Sequence, residues 1–207
     1  MKYILTCVLC VLSMTLTAQS ARYILDTTTA KIKQMGDVKC TFTATSFNGS
    51  TEQASTKGTI LLQGKKMQLS TDEMKMWFNG KTQWSLIQEN GEVNVSTPNE
   101  REMTNMNPYS FINLYKKGYK MNARQTKLRG KDVYEIHLVA RNNTSNAQEI
   151  YIDVSKDDHT PLCIRIRQDN IWNRISIHSL QGNQHFADTD FEFPKSEYPN
   201  VDIIDLR

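Results

Sequence analysis

Residues 74–95, MKMWFNGKTQWSLIQENGEVNV, alternate apolar and polar side chains at a period of two and are broken twice by Asn-Gly. Met74, Met76 and Phe78 form one run, Thr82, Trp84 and Leu86 the next, and Val93 and Val95 a third. A period of two puts every second side chain on one face of a strand, and Asn-Gly tolerates the positive φ angles of a tight hairpin turn. The stretch therefore reads as short antiparallel strands joined at Asn79-Gly80 and Asn90-Gly91, with the methionines, Phe78, Trp84 and Leu86 expected on one inward face.

The same period extends in both directions. Upstream, Val38, Cys40, Phe42 and Ala44 alternate with polar residues up to Asn48-Gly49, and a strand near 53–62 and the pair Met67 and Leu69 follow. Before them the spacing changes to three and four: Leu25, Thr28 or Thr29, Ile32 and Met35 predict an amphipathic helix over 22–36, stopped by Gly36. Downstream, Asn107 and Pro108 suit the start of a second short helix over 107–117, with Phe111, Ile112, Leu114 and Tyr115 as its apolar face. Strands are then expected near 119–128, 132–141, 148–155, 161–168 and 171–180, with a short one at Phe191 and Phe193 and a last one at Val201 and Ile203. The turns are too short for crossover helices, so the sheet is expected to be antiparallel. A sheet of ten or eleven short strands must close or curl to manage its edges, here with the two helices over one mouth.

The N-terminus reads as a secretory leader. Lys2 supplies a positive start, Tyr3 to Leu16 an apolar run, and Leu16-Thr17-Ala18 a small residue before Gln19. Residues 1–18 are thus expected to be a signal peptide and 19–207 a single domain, exported to the periplasm. No cysteine follows the apolar run for lipid attachment. The formal net charge of +3 over 207 residues is too small for a dedicated nucleic-acid binder. Cys40 and Cys163 fall on opposite strand faces, which argues against a disulfide between them.

Catalytic and metal signatures are missing. His137, His159, His178 and His185 show no metal-ligand spacing, and no nucleophile elbow, phosphate loop or dinucleotide fingerprint is present. Asp157-Asp158-His159-Thr160-Pro161 has turn composition. Asp188 and Asp190 lack the glycine and distal glutamate of a calcium loop. The expectation is a protein that is not an enzyme and needs no cofactor or metal.

The apolar composition is more telling. Met67, Met74, Met76, Met103, Met106 and Met121 crowd into one third of the chain. Methionine is unbranched and adaptable, and is over-used on surfaces that fit variable apolar ligands. A large β-barrel has a lumen that side chains alone need not fill.

Three stretches carry a likeness to a known family: Gly58-Thr59-Ile60-Leu61-Leu62 through Lys65-Lys66-Met67-Gln68-Leu69, then Phe78-Asn79-Gly80-Lys81-Thr82-Gln83-Trp84, then Asp190-Phe191-Glu192-Phe193-Pro194 to Val201-Asp202-Ile203-Ile204-Asp205. In this order the chain resembles the LolA-type outer-membrane lipoprotein carriers. The resemblance implies a mainly β fold: a half-open, unclosed antiparallel β-barrel of about 11 strands with a short α-helical lid. It implies a monomeric periplasmic carrier that takes lipoproteins from an inner-membrane lipoprotein-releasing ABC transporter to an outer-membrane acceptor. The expected acyl-chain cavity comprises Phe42, Ile60, Leu62, Met67, Leu69, Met74, Met76, Phe78, Trp84 and Leu86, with Leu25, Ile32, Phe111 and Leu114 from the lid helices. The family's arginine-proline pair, linked to lid closure and cargo transfer, is replaced by Lys65 or Lys66 without proline. Lysine lacks the planar fork of arginine. Two other functions fit the same residues: a lipid-sensing regulatory domain on this fold, and an interaction module with a filled core.

Overall fold

The computed structural model of the chain describes residues 21–89, 91–99, 115–116, 118–142 and 147–207. The leader at 1–18, Met103, Met106, Phe111 and Leu114, and all but two residues of the helix expected over 107–117, lie outside the described residues.

The first helix, α1, spans 21–34. Ala21, Ile24, Leu25 and Thr28 are buried on one face, the spacing of a helix that packs one stripe inward. Three successive threonines are poor helix formers, yet each hydroxyl here donates to the carbonyl four residues back: Thr27 to Tyr23 at 2.9 Å, Thr28 to Ile24 at 2.9 Å and Thr29 to Leu25 at 2.8 Å. The Thr28 hydroxyl is therefore satisfied where it is buried.

Among the described residues twelve strands form one sheet: β1 Val38–Asn48, β2 Thr51–Gln63, β3 Lys66–Thr71, β4 Met74–Phe78, β5 Gln83–Ile87, β6 Glu92–Ser96, β7 Tyr119–Leu128, β8 Lys131–Ala140, β9 Glu149–Ser155, β10 Pro161–Gln168, β11 Ile171–Gln181 and β12 Asp202–Asp205. Their order is β12-β6-β5-β4-β3-β2-β1-β11-β10-β9-β8-β7. Two meanders, β1–β6 and β7–β11, are thus joined by the antiparallel pairing of β1 with β11. The hairpin chemistry is local. At Arg129-Gly130 both residues have positive φ, 49° and 80°, the mirror-image turn that matches strand twist. Among the described residues the sheet ends on β7 and β12 and is not closed, so the architecture is an unclosed barrel with α1 on one face.

Two expectations change at the C-terminus. Phe191 and Phe193 do not form a strand. Asp188–Phe191 makes a 3-10 turn, held by the Asp190 amide on the Ala187 carbonyl (3.0 Å) and the Ala187 amide on the Asp190 carboxylate (2.9 Å). And β12 runs parallel to β6, not antiparallel. The chain crosses the outer face of β4–β6 before it pairs, a connection long enough for parallel strands. That crossing builds a second small core. Trp77, Leu86, Val93 and Val95 are buried there, packed by Trp84, Phe193, Tyr198 and Val201.

Candidate functional site

Strand register sorts the apolar residues into two environments on the inner face. Across β8–β10 the inner residues are Ile136, Leu138, Ile150, Ile152, Ile164 and Ile166, nearly all β-branched and fully buried. They pack with Ala21, Ile24 and Leu25 of α1 and with Tyr115. Branched side chains have few rotamers, so this half is a stiff core. The Tyr115 hydroxyl donates to the Asp26 carboxylate on α1, and burial together with that bond pushes Tyr115 up to about 12. Tyr115 thereby ties the chain entering β7 to the helix.

Across β1–β4 the inner face is built differently. One row runs Val38, Leu62, Met67, Phe78, and the next Cys40, Ile60, Leu69, Met76. A third carries Phe42, Gly58 and Thr71 and is continued on β4 by Met74, which is opposite Ile87 on β5. Phe42, Ile60, Met67, Met76 and Phe78 form a separate buried cluster, and Ala44, Leu62, Leu69 and Met74 are half-buried against it. No charged side chain occupies these rows. Met67, Leu69, Met74 and Met76, none branched at Cβ, stand where the other half carries mostly isoleucine, so the wall is apolar and deformable. Ile175 touches both clusters. By contrast, the outer side of β1–β3 carries an open depression of about 650 Å³ lined mostly by polar side chains such as Thr41, Thr43, Lys57 and His178, with Phe42 and Gly58 reaching it from the third row. Its hydroxyls and charges do not suit hydrocarbon.

The register thus brings together eight of the expected residues: Phe42, Ile60, Leu62, Met67, Leu69, Met74, Met76 and Phe78. Leu25 packs in the stiff core instead, and Ile32 is half-buried on the last turns of α1. Trp84 and Leu86 do not share the methionine face. Phe78 pairs with Gln83 and Trp77 with Trp84, so both side chains point into the outer core. The cause is the loop Asn79–Thr82, in which the Asn79 carboxamide accepts the amides of Lys81 (3.1 Å) and Thr82 (2.9 Å). A loop with an even number of residues pairs strands so that positions of opposite parity share a face; only an odd loop aligns Phe78 with Trp84.

Lys65 is exposed at the β2–β3 turn. Lys66 faces the C-terminal segment: its ammonium lies 2.5 Å from Asp188 and 5.9 Å from the centre of the Phe191 ring. Beside it the Gln63 amide donates to Asp37 just past α1 (2.7 Å) and to the Phe186 carbonyl (3.3 Å). Among the described residues, neither lysine bonds α1. The Asp188 carboxylate is largely in water, and such pairs contribute little. Lys66→Ala is expected to lower stability by less than about 1 kcal/mol in urea unfolding, with most of that gone at high salt.

The outer face of β7–β10 holds charges that alternation places there but whose pairing it does not reveal. Glu135 lies 2.5 Å from Arg124 and 2.6 Å from Arg165, and Arg165 is 3.5 Å from Asp153. Glu149 accepts from Arg167 at 3.0 Å and Tyr151 at 3.1 Å, and lies 2.6 Å from His137, which stacks on Tyr151. Opposite charges at matching positions of neighbouring strands are the available signal. Burial pushes Glu135 up, but the two arginines outweigh it and leave its carboxyl below the usual range. Burial wins at Asp153, only 3% exposed, and raises it despite Arg165.

Arg165→Leu is expected to cost about 2–3 kcal/mol at neutral pH, discounted because the arginine is one-third exposed. Glu135, lowered when folded, contributes stability above its unfolded value of about 4.3 that is lost as pH falls through its folded value. Asp153, raised when folded, contributes in the opposite sense, with its share present below about 3.9 and lost as pH rises. The gap between wild type and variant in thermal unfolding should therefore close below about pH 4. A pH-independent gap would mean that Arg165 acts by packing alone.

Comparison with known proteins adds the following. The family model described as "Outer membrane lipoprotein carrier protein LolA" matches residues 12–170. No curated protein matches the chain. Among solved structures, an uncharacterized conserved protein from Thermus thermophilus superposes with a TM-score of 0.59 at 8% identity, over 90% of this chain and 99% of that one. LprF from Mycobacterium bovis superposes at 0.53 and 9% identity, over 86% and 98%. The lipoprotein LppX from Mycobacterium tuberculosis does so at 0.53 and 9%, over 82% and 99%. At these identities the structures share a fold with this chain.

Proposed function

Because the chain belongs to the LolA family of outer-membrane lipoprotein carriers, we propose that it binds the acyl chains of lipoproteins on the inner wall of β1–β4 and carries them across the periplasm. The observation that carries this reading is the wall itself. Three of its side chains, Leu62, Leu69 and Met74, are only half-buried, although they stand in an uncharged apolar surface. Each methylene contributes about 0.8 kcal/mol on burial, so a chain of roughly sixteen carbons exposes on the order of 12 kcal/mol to water. A wall of Met and Leu can cover that area without a rigid fit, which also permits release. The stiff β8–β10 core and α1 hold the deformable half in place. No bond is made or broken in this role.

The partners that follow are an inner-membrane transporter that releases lipoproteins and an outer-membrane acceptor that takes them. The test is a release assay. Inner-membrane vesicles loaded with a labelled lipoprotein are incubated with the mature protein and ATP, then sedimented. The lipoprotein is expected in the supernatant as a complex with this protein. Lipoprotein that stays with the vesicles while the protein binds free fatty acid would favour a lipid-sensing role over a shuttle.

A further inference from the structure

Gly58 stands in the apolar wall where every neighbouring inner position carries a side chain. Its backbone is ordinary strand, so no positive φ requires glycine there. Space does. A Cβ on Gly58 would lie 2.7 Å from Cε1 of Phe42, nearer still to Cζ, and 3.1 Å from the Ser70 carbonyl oxygen. Phe42 is the direct cross-strand partner of Gly58. The edge of its ring therefore lies over β2, in the volume that a side chain at 58 would take. The row it occupies is a boundary. Towards the β2–β3 turn the wall is Ile60, Leu62, Met67 and Leu69; in the other direction β2 continues with Thr56 opposite Ala44, and Thr71 ends β3. A hydrocarbon lying along β2 and β3 reaches the end of their apolar positions here, whereas Ala44 on β1 and Met74 on β4 remain apolar and half-buried.

We propose that Phe42, whose ring extends over β2 because Gly58 has no side chain, is the residue that sets how long an acyl chain the wall accepts. The inference rests on the acyl-binding reading above. Extended over β2, the ring is floor, and a chain runs over it. Forced upright by a Cβ at 58, it becomes an end wall and removes one row, about 7 Å of strand. Each methylene left outside then weakens binding about fourfold. The effect is confined to chains long enough to reach the third row.

The test uses the mature protein incubated with an equimolar series of saturated fatty acids of graded length, read by native mass spectrometry. Gly58→Ala is expected to shift the bound distribution to shorter chains, with the longest acids losing more than about tenfold relative to the shortest. Phe42→Ala should shift it to longer chains, and Gly58→Ala combined with Phe42→Leu should restore the wild-type profile. Phe42→Ala introduces no clash and decides the matter if Gly58→Ala does not fold. If wild type binds the series and Phe42→Ala leaves the length profile unchanged, Phe42 is a packing residue and the proposal falls alone. If wild type binds no member of the series, the acyl-binding reading falls and takes the proposal with it.

Discussion

Leu69→Glu is expected to abolish acyl-chain binding while leaving the β-sheet intact. Leu69 stands in the middle row of the wall, between Ile60 on β2 and Met76 on β4, and its side chain is only half-buried. Its backbone pairing does not depend on the side chain, and a half-exposed glutamate can reach water in the empty protein. Loading an acyl chain removes that water. An ionised carboxylate facing hydrocarbon without a partner costs several kcal/mol, so affinity should fall at least roughly a hundredfold. Fluorescent fatty-acid displacement reads the loss, and far-UV circular dichroism checks the fold. Leu69→Met, which keeps volume and polarity, should bind as wild type does. Undiminished binding by Leu69→Glu would remove β3 from the site.

Trp77→Ala is expected to have the opposite profile: a large loss of stability without loss of the binding wall. Trp77 is the residue next to Met76, but it points to the other face, where it is 2% exposed. Its indole meets Phe193 edge-on at 5.5 Å and Tyr198 at 6.1 Å, and the Tyr198 hydroxyl accepts from Lys75 at 2.9 Å. Emptying that position should cost about 3–5 kcal/mol, or roughly 10 °C in melting temperature for a chain of this size. The segment from Phe193 to β12 packs on this ring, so proteases should cut there first. Protein that remains folded should still bind fatty acid. A variant that melts normally and loses binding would place the ligand on the outer face.

These two substitutions also mark how far the sequence can be read. The period of two locates the strands, and it places Phe42, Ile60, Met67, Met76 and Phe78 on one face, as the register has them. The amphipathic spacing of Leu25 and Thr28 locates α1. Trp84 and Leu86 lie on the face opposite to the one expected. Asn79-Gly80 marks a hairpin, yet which face β5 presents depends on whether the loop count is odd or even, and a count of two or the observed four both send Trp84 outward. The role of Trp77 is not legible locally, because an apolar residue between Met76 and Phe78 breaks the alternation, and only the C-terminal crossing explains it. That crossing pairs residues more than a hundred positions apart, so no local pattern announces that β12 runs parallel to β6. The Phe42–Gly58 contact is likewise invisible as a motif, since a glycine in a strand reads only as a weak point.

The most direct test of the account is photo-crosslinking. The protein is loaded with a fatty acid that carries a diazirine on its chain, irradiated, digested and sequenced by mass spectrometry. Adducts are predicted on inner-face side chains of β2–β4, foremost Ile60, Met67, Leu69, Met74 and Met76. Adducts concentrated on Trp77, Trp84, Phe193 or Tyr198 would contradict it, as would labelling no greater than that of a control protein.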